Sequence, residues 1–252
     1  MRPEFAQSIL EKVCVDYDTI ADEFSATREG LTWPETTRFR EFVDNGAHIL
    51  DIGCGNGRAY QLFEGMAIAY DGIDVSGKLV AHARRLNDDI LTEFMVGSMM
   101  AIPNEADQYD AAVALAVFHH IPSEQFRVQA LREALRVLKP GGWLLMTNWS
   151  RWQPKDIRLH IEAMMRKLSG SGYDMRDLLV PWKRGKKKVE RYYHAFTTEE
   201  IRRLCEKVGF QVWENYYANE NGKVSRWKAK NIITICKKPE PAPQFEDGWV
   251  TT

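Results

Sequence analysis

The 252-residue sequence contains no apolar run long enough to cross a bilayer, which excludes an integral membrane protein of the helical kind. Its first residues, MRPEFAQSILEKV, lack the basic-then-apolar pattern and small-residue cleavage site of a secretory signal, so a cytoplasmic protein is expected. Cysteine is sparse: Cys14, Cys54, Cys205 and Cys236 form no CxxC pair. That spacing excludes a zinc ribbon, a thioredoxin-type site and a disulfide framework, and suits a reducing compartment. No internal repeat occurs. An excess of charge of one sign is also missing, the net charge being −1.

That near-neutrality hides two unlike halves. Residues 1–150 carry 13 Lys and Arg against 22 Asp and Glu, whereas residues 151–238 carry 21 against 10. Concentrated positive charge is what a polyanionic partner requires, because Lys and Arg contacts to phosphate supply most non-specific nucleic-acid affinity.

Hydrophobic spacing sets the expected elements. Phe5, Ile9, Val13, Tyr17, Ile20 and Phe24 recur every three or four residues, predicting an amphipathic helix or helix pair over 4–26. Residues 47–52 form a short strand that runs into Gly53, Gly55 and Gly57, with a helix expected across RAYQLFEGM. A second strand over 68–75 ends at Asp74, and Ser76 caps the helix that follows. Further strands are predicted at 90–96, 109–117 and 142–149. A helix at 123–138 opens on Ser123 in a near capping box and is stopped by Lys139-Pro140-Gly141-Gly142. Alternating strands and helices imply an α/β protein with a mostly parallel sheet and helices on both faces. After Trp149 a long stretch, 150–196, shows no clear strand. It precedes a helix at 197–208 and two strands near 210–218 and 229–237 that can pair as a hairpin at the sheet edge. The tail 239–252 reads as disordered.

The chemistry gathers at Asp51-Ile52-Gly53-Cys54-Gly55-Asn56-Gly57. Glycines permit a tight turn and close backbone approach to a ligand, although such a loop alone serves many nucleotides. Asp74, 19 residues beyond Gly55, is placed to accept the ribose hydroxyls of an adenosine. Asp51 at the mouth of the loop would repel a pyrophosphate and welcome a ligand bearing an ammonium and a sulfonium. S-adenosylmethionine has both cations. A dinucleotide, or a purely structural turn, is the alternative.

Asp51–Gly57, Asp74, YDAAVALAV (109–117) and LKPGGWLLM (138–146) resemble the class I S-adenosylmethionine-dependent methyltransferases over residues 40–150. The resemblance implies a Rossmann-like fold with seven strands and a single domain over 1–238, with a helical lid at 1–46 and a substrate-side insertion at 150–196. It implies a cofactor site of Tyr17, Asp51, Gly53, Gly55, Asn56, Asp74, Val75, Ser98, Met99, Ala114 and Ala116. Many members carry Asp where this chain has Ser98. Tyr17 and Phe24 would cover the cofactor, or simply pack in the core.

Arg28 with Trp33-Pro34, the pair His119-His120, Trp149, Trp152 and the passage RYYHAF (191–196) resemble the tRNA methyltransferases that esterify 5-carboxymethyluridine at the wobble position. That likeness spans most of residues 15–212. It implies binding of a tRNA anticodon loop and, in some members, a small activating protein that nothing in this sequence reveals. Arg28 or Arg191 would hold the acceptor carboxylate through a bidentate fork, with His194 and His120 as further catalytic candidates. Lys183, Arg184, Lys186, Lys187 and Lys188 with Tyr192 and Tyr193 would contact RNA. No metal is expected, because the His pair has no third ligand at a suitable spacing. Two competing readings stand beside this one: a small-molecule methyltransferase of the same fold, and a non-catalytic RNA-binding protein with a vestigial pocket.

Overall fold

The computed structural model describes residues 1–28, 34–153, 157–183 and 186–241. Trp33, Arg184 and residues 242–252 of the tail therefore lie outside the described residues. The chain opens with one continuous helix, α1 (Pro3–Ala26), started by Pro3 at its first turn, and a short α2 (Pro34–Thr37). Then come β1 (His48–Ile52), β2 (Ala69–Asp74), α3 (Gly77–Leu86), β3 (Thr92–Val96), β4 (Tyr109–Leu115), α4 (Glu124–Val137) and β5 (Leu138–Trp149). The C-terminal part adds α5 (Ile157–Leu168), β6 (Asp177–Pro181), β7 (Glu190–His194), α6 (Thr198–Val208), β8 (Gln211–Asn219), β9 (Gly222–Lys223) and β10 (Asn231–Lys237).

The predicted caps form: Ser76 Oγ accepts from the Leu79 amide at 3.2 Å, and Ser123 Oγ from the Phe126 amide at 3.3 Å. Residues 58–63 differ from the expectation, winding as a 3-10 turn instead of an α-helix. Strand β5 also starts earlier than expected. It begins at Leu138, directly after α4, and absorbs the Pro-Gly-Gly stop as an irregularity in its pairing with β4.

The main sheet has the order β3-β2-β1-β4-β5-β10-β8-β9. Strands β1 to β5 pair in parallel, whereas β10 runs antiparallel between β5 and β8. The sheet therefore has eight strands, the eighth being the two-residue β9, and the C-terminal hairpin is inserted against β5 through β10. Side chains alternate across it. Ala112, Ala114, Leu144, Met146 and Ile232 join Leu131, Ile201 and Leu204 of α4 and α6 in one core layer. Ala111, Val113, Leu145 and Ile233 join Phe39, Phe63 and Val80 in the other.

The segment 150–196 holds structure that its sequence did not announce. Strands β6 and β7 form a separate antiparallel ribbon, Leu178 opposite Tyr193 and Val180 opposite Arg191. Both strands are too short and too uniformly buried to show alternation, and Asp177 sits fully buried within one of them. A bridge from Ser150 to Phe196, with Phe118 and Phe196 stacked at 5.4 Å, ties the ribbon to the C-terminal end of β5.

Candidate functional site

A cavity of about 490 Å³ opens at the C-terminal ends of β1, β2 and β4, the end at which open α/β sheets bind ligands. Helix α1 closes one side with Cys14, Tyr17 and Phe24, Arg28 follows just beyond its end, and Arg191 and Tyr193 reach in from β7. The glycine loop forms the floor. Gly53 has φ +72°, and a Cβ there would lie 2.2 Å from Val117 Cγ2, so no other residue fits without moving β4's exit. Gly55 has φ +57°, and its amide donates to Asp74 Oδ2 at 2.9 Å. Asn56 ties the loop to α1 through a 3.2 Å bond from Nδ2 to Ser25 Oγ.

Two carboxylates line this space. Asp51 accepts from Tyr70 Oη at 2.8 Å, and burial pushes its carboxyl up to about 7, with Asp74 adding repulsion. Asp74 accepts from the Ser76 amide at 2.8 Å besides Gly55; burial raises it too, and those amides pull it back. Buried acids of this kind favour a ligand that brings positive charge. S-adenosylmethionine fits on that ground: Asp51 would face its cationic methionine part and Asp74 its ribose, each oxygen retaining a free lone pair.

Tyr17, Asp51, Gly53, Gly55, Asn56, Asp74, Val75, Ser98, Met99 and Ala116 of the expected cofactor set all line the cavity. Ala114 does not. It faces the α4/α6 core layer and is fully buried there; alternation puts Leu115 on the opposite side, and Ala116, beyond the strand's end at φ +58°, also lines the cavity. The residues that sequence reasoning missed include Val117, Phe126 and Arg58. Arg58 was findable, being the first residue after the glycine loop. The others come from elements whose facing direction only the fold sets.

The acceptor-side candidates divide. Arg28 and Arg191 both line the cavity. The Arg191 guanidinium lies 5.1 Å from the Trp182 ring and 5.2 Å from the Tyr193 ring, a cation held between two aromatic faces. Among the described residues its buried Nε has no hydrogen-bond partner. His120 also lines the cavity. Its Nδ1 lies 2.7 Å from the Tyr192 carbonyl, which can only accept, so Nδ1 carries the proton and Nε2 accepts from Tyr17 Oη at 2.9 Å. Burial pushes His120 down to about 4, the Arg191 charge adding to it against the Tyr192 bond. In this arrangement the ring is held neutral and its lone pair is engaged by Tyr17 Oη.

His194 is a correction: it does not line the cavity. Its Nδ1 lies 2.8 Å from Asp177 Oδ1 and its Nε2 lies 3.0 Å from Glu200 Oε1. Tyr192 Oη donates to the same Asp177 oxygen at 2.7 Å, and Arg127 lies within 4 Å of both acids. Burial raises the Asp177 carboxyl, but the His194 and Tyr192 bonds outweigh it and hold it below its ordinary value. This buried network clamps the β6–β7 ribbon to α4 and α6. Tyr192, only 2 % exposed, therefore belongs to the clamp and offers no face to RNA.

Tyr193, in contrast, is stacked on His119 at 4.6 Å and presents to the cavity. Lys183, Lys186, Lys187 and Lys188 are exposed. Their segment is strapped across α1: the Trp182 indole and the Lys186 amide each donate to Glu23 at 3.0 Å, and Lys187 Nζ donates to the Thr19 carbonyl. The basic segment thus lies on the same side of the molecule as the cavity. Among the described residues no group of three or more His, Cys, Asp or Glu could hold a metal, and no helix is long and apolar enough to cross a membrane.

Residues 50–146 match the family described as a methyltransferase domain. Over 200 residues the chain is 30 % identical to a protein of Encephalitozoon cuniculi assigned as a methyltransferase, covering 79 % of this chain and 87 % of that one. It is 29 % identical over 228 residues to the tRNA (carboxymethyluridine(34)-5-O)-methyltransferase of Schizosaccharomyces pombe, covering 81 % and 91 %. With the Arabidopsis thaliana enzyme of the same name it shares 36 % identity over 151 residues, 60 % of this chain; it spans 35 % of that relative's length. In fold it is similar to a structure described as the complex of the Haloferax volcanii Trm112 methyltransferase activator with a methyltransferase-assigned protein, at TM-score 0.67 and 17 % identity, covering 92 % of this chain and 99 % of that one.

Proposed function

The chain belongs to the class I S-adenosylmethionine-dependent methyltransferases, and on that premise we propose that it methylates the carboxymethyl group of a wobble uridine in tRNA. The names of the S. pombe and A. thaliana relatives support the acceptor. The single observation that carries it is Arg191: a guanidinium buried on the cavity wall between Trp182 and Tyr193, its fork matched to a carboxylate and its Nε without a partner among the described residues.

The bound cofactor supplies a methyl group on a sulfonium, ready for in-line transfer. A carboxylate is anionic at neutral pH, so this chain's residues need not remove a proton. Arg191 aims the acceptor, Arg28 faces the same space, and Tyr193 offers an aromatic face to the base. The Tyr17–His120 pair, with Phe24, makes the α1 wall that excludes water, so residues 1–46 act as a lid and 150–196 as the acceptor side. Holding the reacting atoms in line in this way is worth on the order of 7–11 kcal/mol.

The reading includes the anticodon loop as the docked element, Lys183 and Lys186–Lys188 meeting its phosphates. It also includes a small activating protein at the free edge of β3. Ile90, Leu91 and Val96 are exposed there, 98 %, 51 % and 60 %, at the end of the sheet. Four free thiols suit the cytoplasm as the place of action.

The test is incubation of the protein, with and without a co-expressed activator, with labelled methyl donor and bulk tRNA, followed by nucleoside mass spectrometry. Label in the methyl ester of carboxymethyluridine is expected. Label only in a small molecule would favour the second reading.

A further inference from the structure

A second cavity, of about 410 Å³, lies behind the first and shares Arg28, Asn56 and Arg58 with it as a common wall. Its far side is α3, through His82 and Arg85, and its rim is Asp22 on α1. Three arginines thus line a space in which, among the described residues, Asp22 is the single acid. That acid is already engaged. The Arg85 guanidinium donates to His82 Nδ1 at 2.5 Å, so the ring carries its proton on Nε2, which donates to Asp22 at 2.9 Å.

The neighbouring acids of α1 are spoken for as well. Asp18 accepts from Ser76 Oγ and the Lys78 amide, and Glu23 from Trp182 and Lys186. Arg58 has the opposite problem: burial pushes its guanidinium down, Arg28 adds like-charge repulsion, and Asp51 opposes both. The field of Lys78 and Lys187 reaches Asp22 from either side of this seam. Lys186–Lys188 on one side and Lys78 with Arg85 on α3 on the other thus flank α1, whose carboxylates Asp18, Asp22 and Glu23 lie between them, and Arg58 lines the cavity below.

We propose that the cavity between Arg58 and Arg85 receives a backbone phosphate of the bound RNA, flanking the nucleotide whose base enters the first cavity. The shared arginine wall would hold the phosphate and the base of neighbouring positions against each other. Lys78 and Arg85 then extend the phosphate track beyond the basic segment 183–188, onto a helix in the acidic half of the chain. This inference rests on the RNA reading above and adds a site to it.

Arg85 and Lys78 are exposed and lie outside the cofactor cavity, so their replacement tests the track without touching that cavity. The experiment measures tRNA affinity of the full chain against salt for the wild type, Arg85→Ala, Lys78→Ala and the double variant. Lys139→Ala, at the opposite end of β5, is the control. Each track variant should weaken tRNA binding about three- to tenfold and lower the slope of log K against log salt by about one, with cofactor affinity unchanged. Wild-type slopes and affinities in all three, with tRNA still bound and methylated, would overturn the phosphate site alone. A wild type that neither binds nor methylates tRNA would overturn the RNA reading itself.

Discussion

The Tyr17 hydroxyl, on the first helix, donates to His120 Nε2 on the far side of the cavity, 103 residues away in sequence, and the two rings meet edge to face at 5.1 Å. This contact joins α1 to the turn after β4, and the Tyr192 carbonyl 2.7 Å from Nδ1 fixes the tautomer of the histidine. With its lone pair engaged and its protonation pushed down to about 4, His120 has no proton to give or take between pH 6 and 8.

Replacing His120 with Gln should therefore cost about tenfold or less in single-turnover rate. A general base would be worth about 10²–10⁴. The wild-type rate should also show no limb attributable to a histidine across that pH range. A hundredfold loss in His120→Gln with an intact melting curve would make His120 a base after all.

Asp51 makes cofactor affinity depend on pH. Its carboxyl titrates near 7 in the folded chain against an ordinary 3.8, so between those values the folded state binds a proton that the unfolded state does not. Its contribution to the stability of the cofactor-free protein consequently falls as pH rises through that window. A cationic cofactor needs the ionised form. The dissociation constant of S-adenosylmethionine should rise by up to about tenfold per pH unit below 7, and Asp51→Asn should flatten this dependence. Calorimetry at pH 6 and pH 8 decides it; equal affinities would remove Asp51 from the cation site.

Asp74→Ala should weaken S-adenosylmethionine by at least about 100-fold, since two charge-assisted hydrogen bonds to ribose would be lost at about 1.5–3 kcal/mol each. The same substitution also frees the Gly55 and Ser76 amides. Asp74→Asn keeps the shape and should recover part of the affinity. Normal binding by Asp74→Ala would place the ribose elsewhere.

Arg191→Ala and Arg191→Lys should both lower kcat/KM for tRNA by 100-fold or more, because an ammonium cannot reproduce a fork stacked between Trp182 and Tyr193. Cofactor affinity should change little. Full activity in Arg191→Lys would show that only charge matters there and would return Arg28 as the acceptor anchor.

His194→Ala should act on stability and not on chemistry. Removing the ring takes one partner from the fully buried Asp177, leaving it Tyr192, the Asp174 amide and Arg127 at 3.9 Å, and breaking into such a buried charged network costs up to about 3–5 kcal/mol. For a chain of this size the melting temperature should drop by roughly 10 °C. A variant that melts normally and fails only in turnover would put His194 back among the catalytic residues.

The cofactor half of the molecule was legible in the sequence because its signals are local. A glycine loop between a strand and a turn, Asp51 before it and Asp74 at the next strand's end are set within one βαβ unit, where chain direction dictates which side chains face the ligand. The acceptor half was not. Arg191, His194 and Tyr192 stand within four residues of one another on a five-residue strand, and nothing in RYYHAF says which of them faces the cavity. Alternation across β7, the bridge between Ser150 and Phe196 and the buried charges of Asp177, Glu200 and Arg127 send Arg191 and Tyr193 toward the cofactor and His194 and Tyr192 into the clamp. The same limit hid Arg85, which lies in the acidic half by composition and shares a cavity with Arg58 only where α3 packs on α1. Sequence by itself determined the sheet, the donor's binding loop and the sign of charge each half carries. Tertiary packing alone decided which cations face a ligand, because a side chain's direction depends on what buries its neighbours.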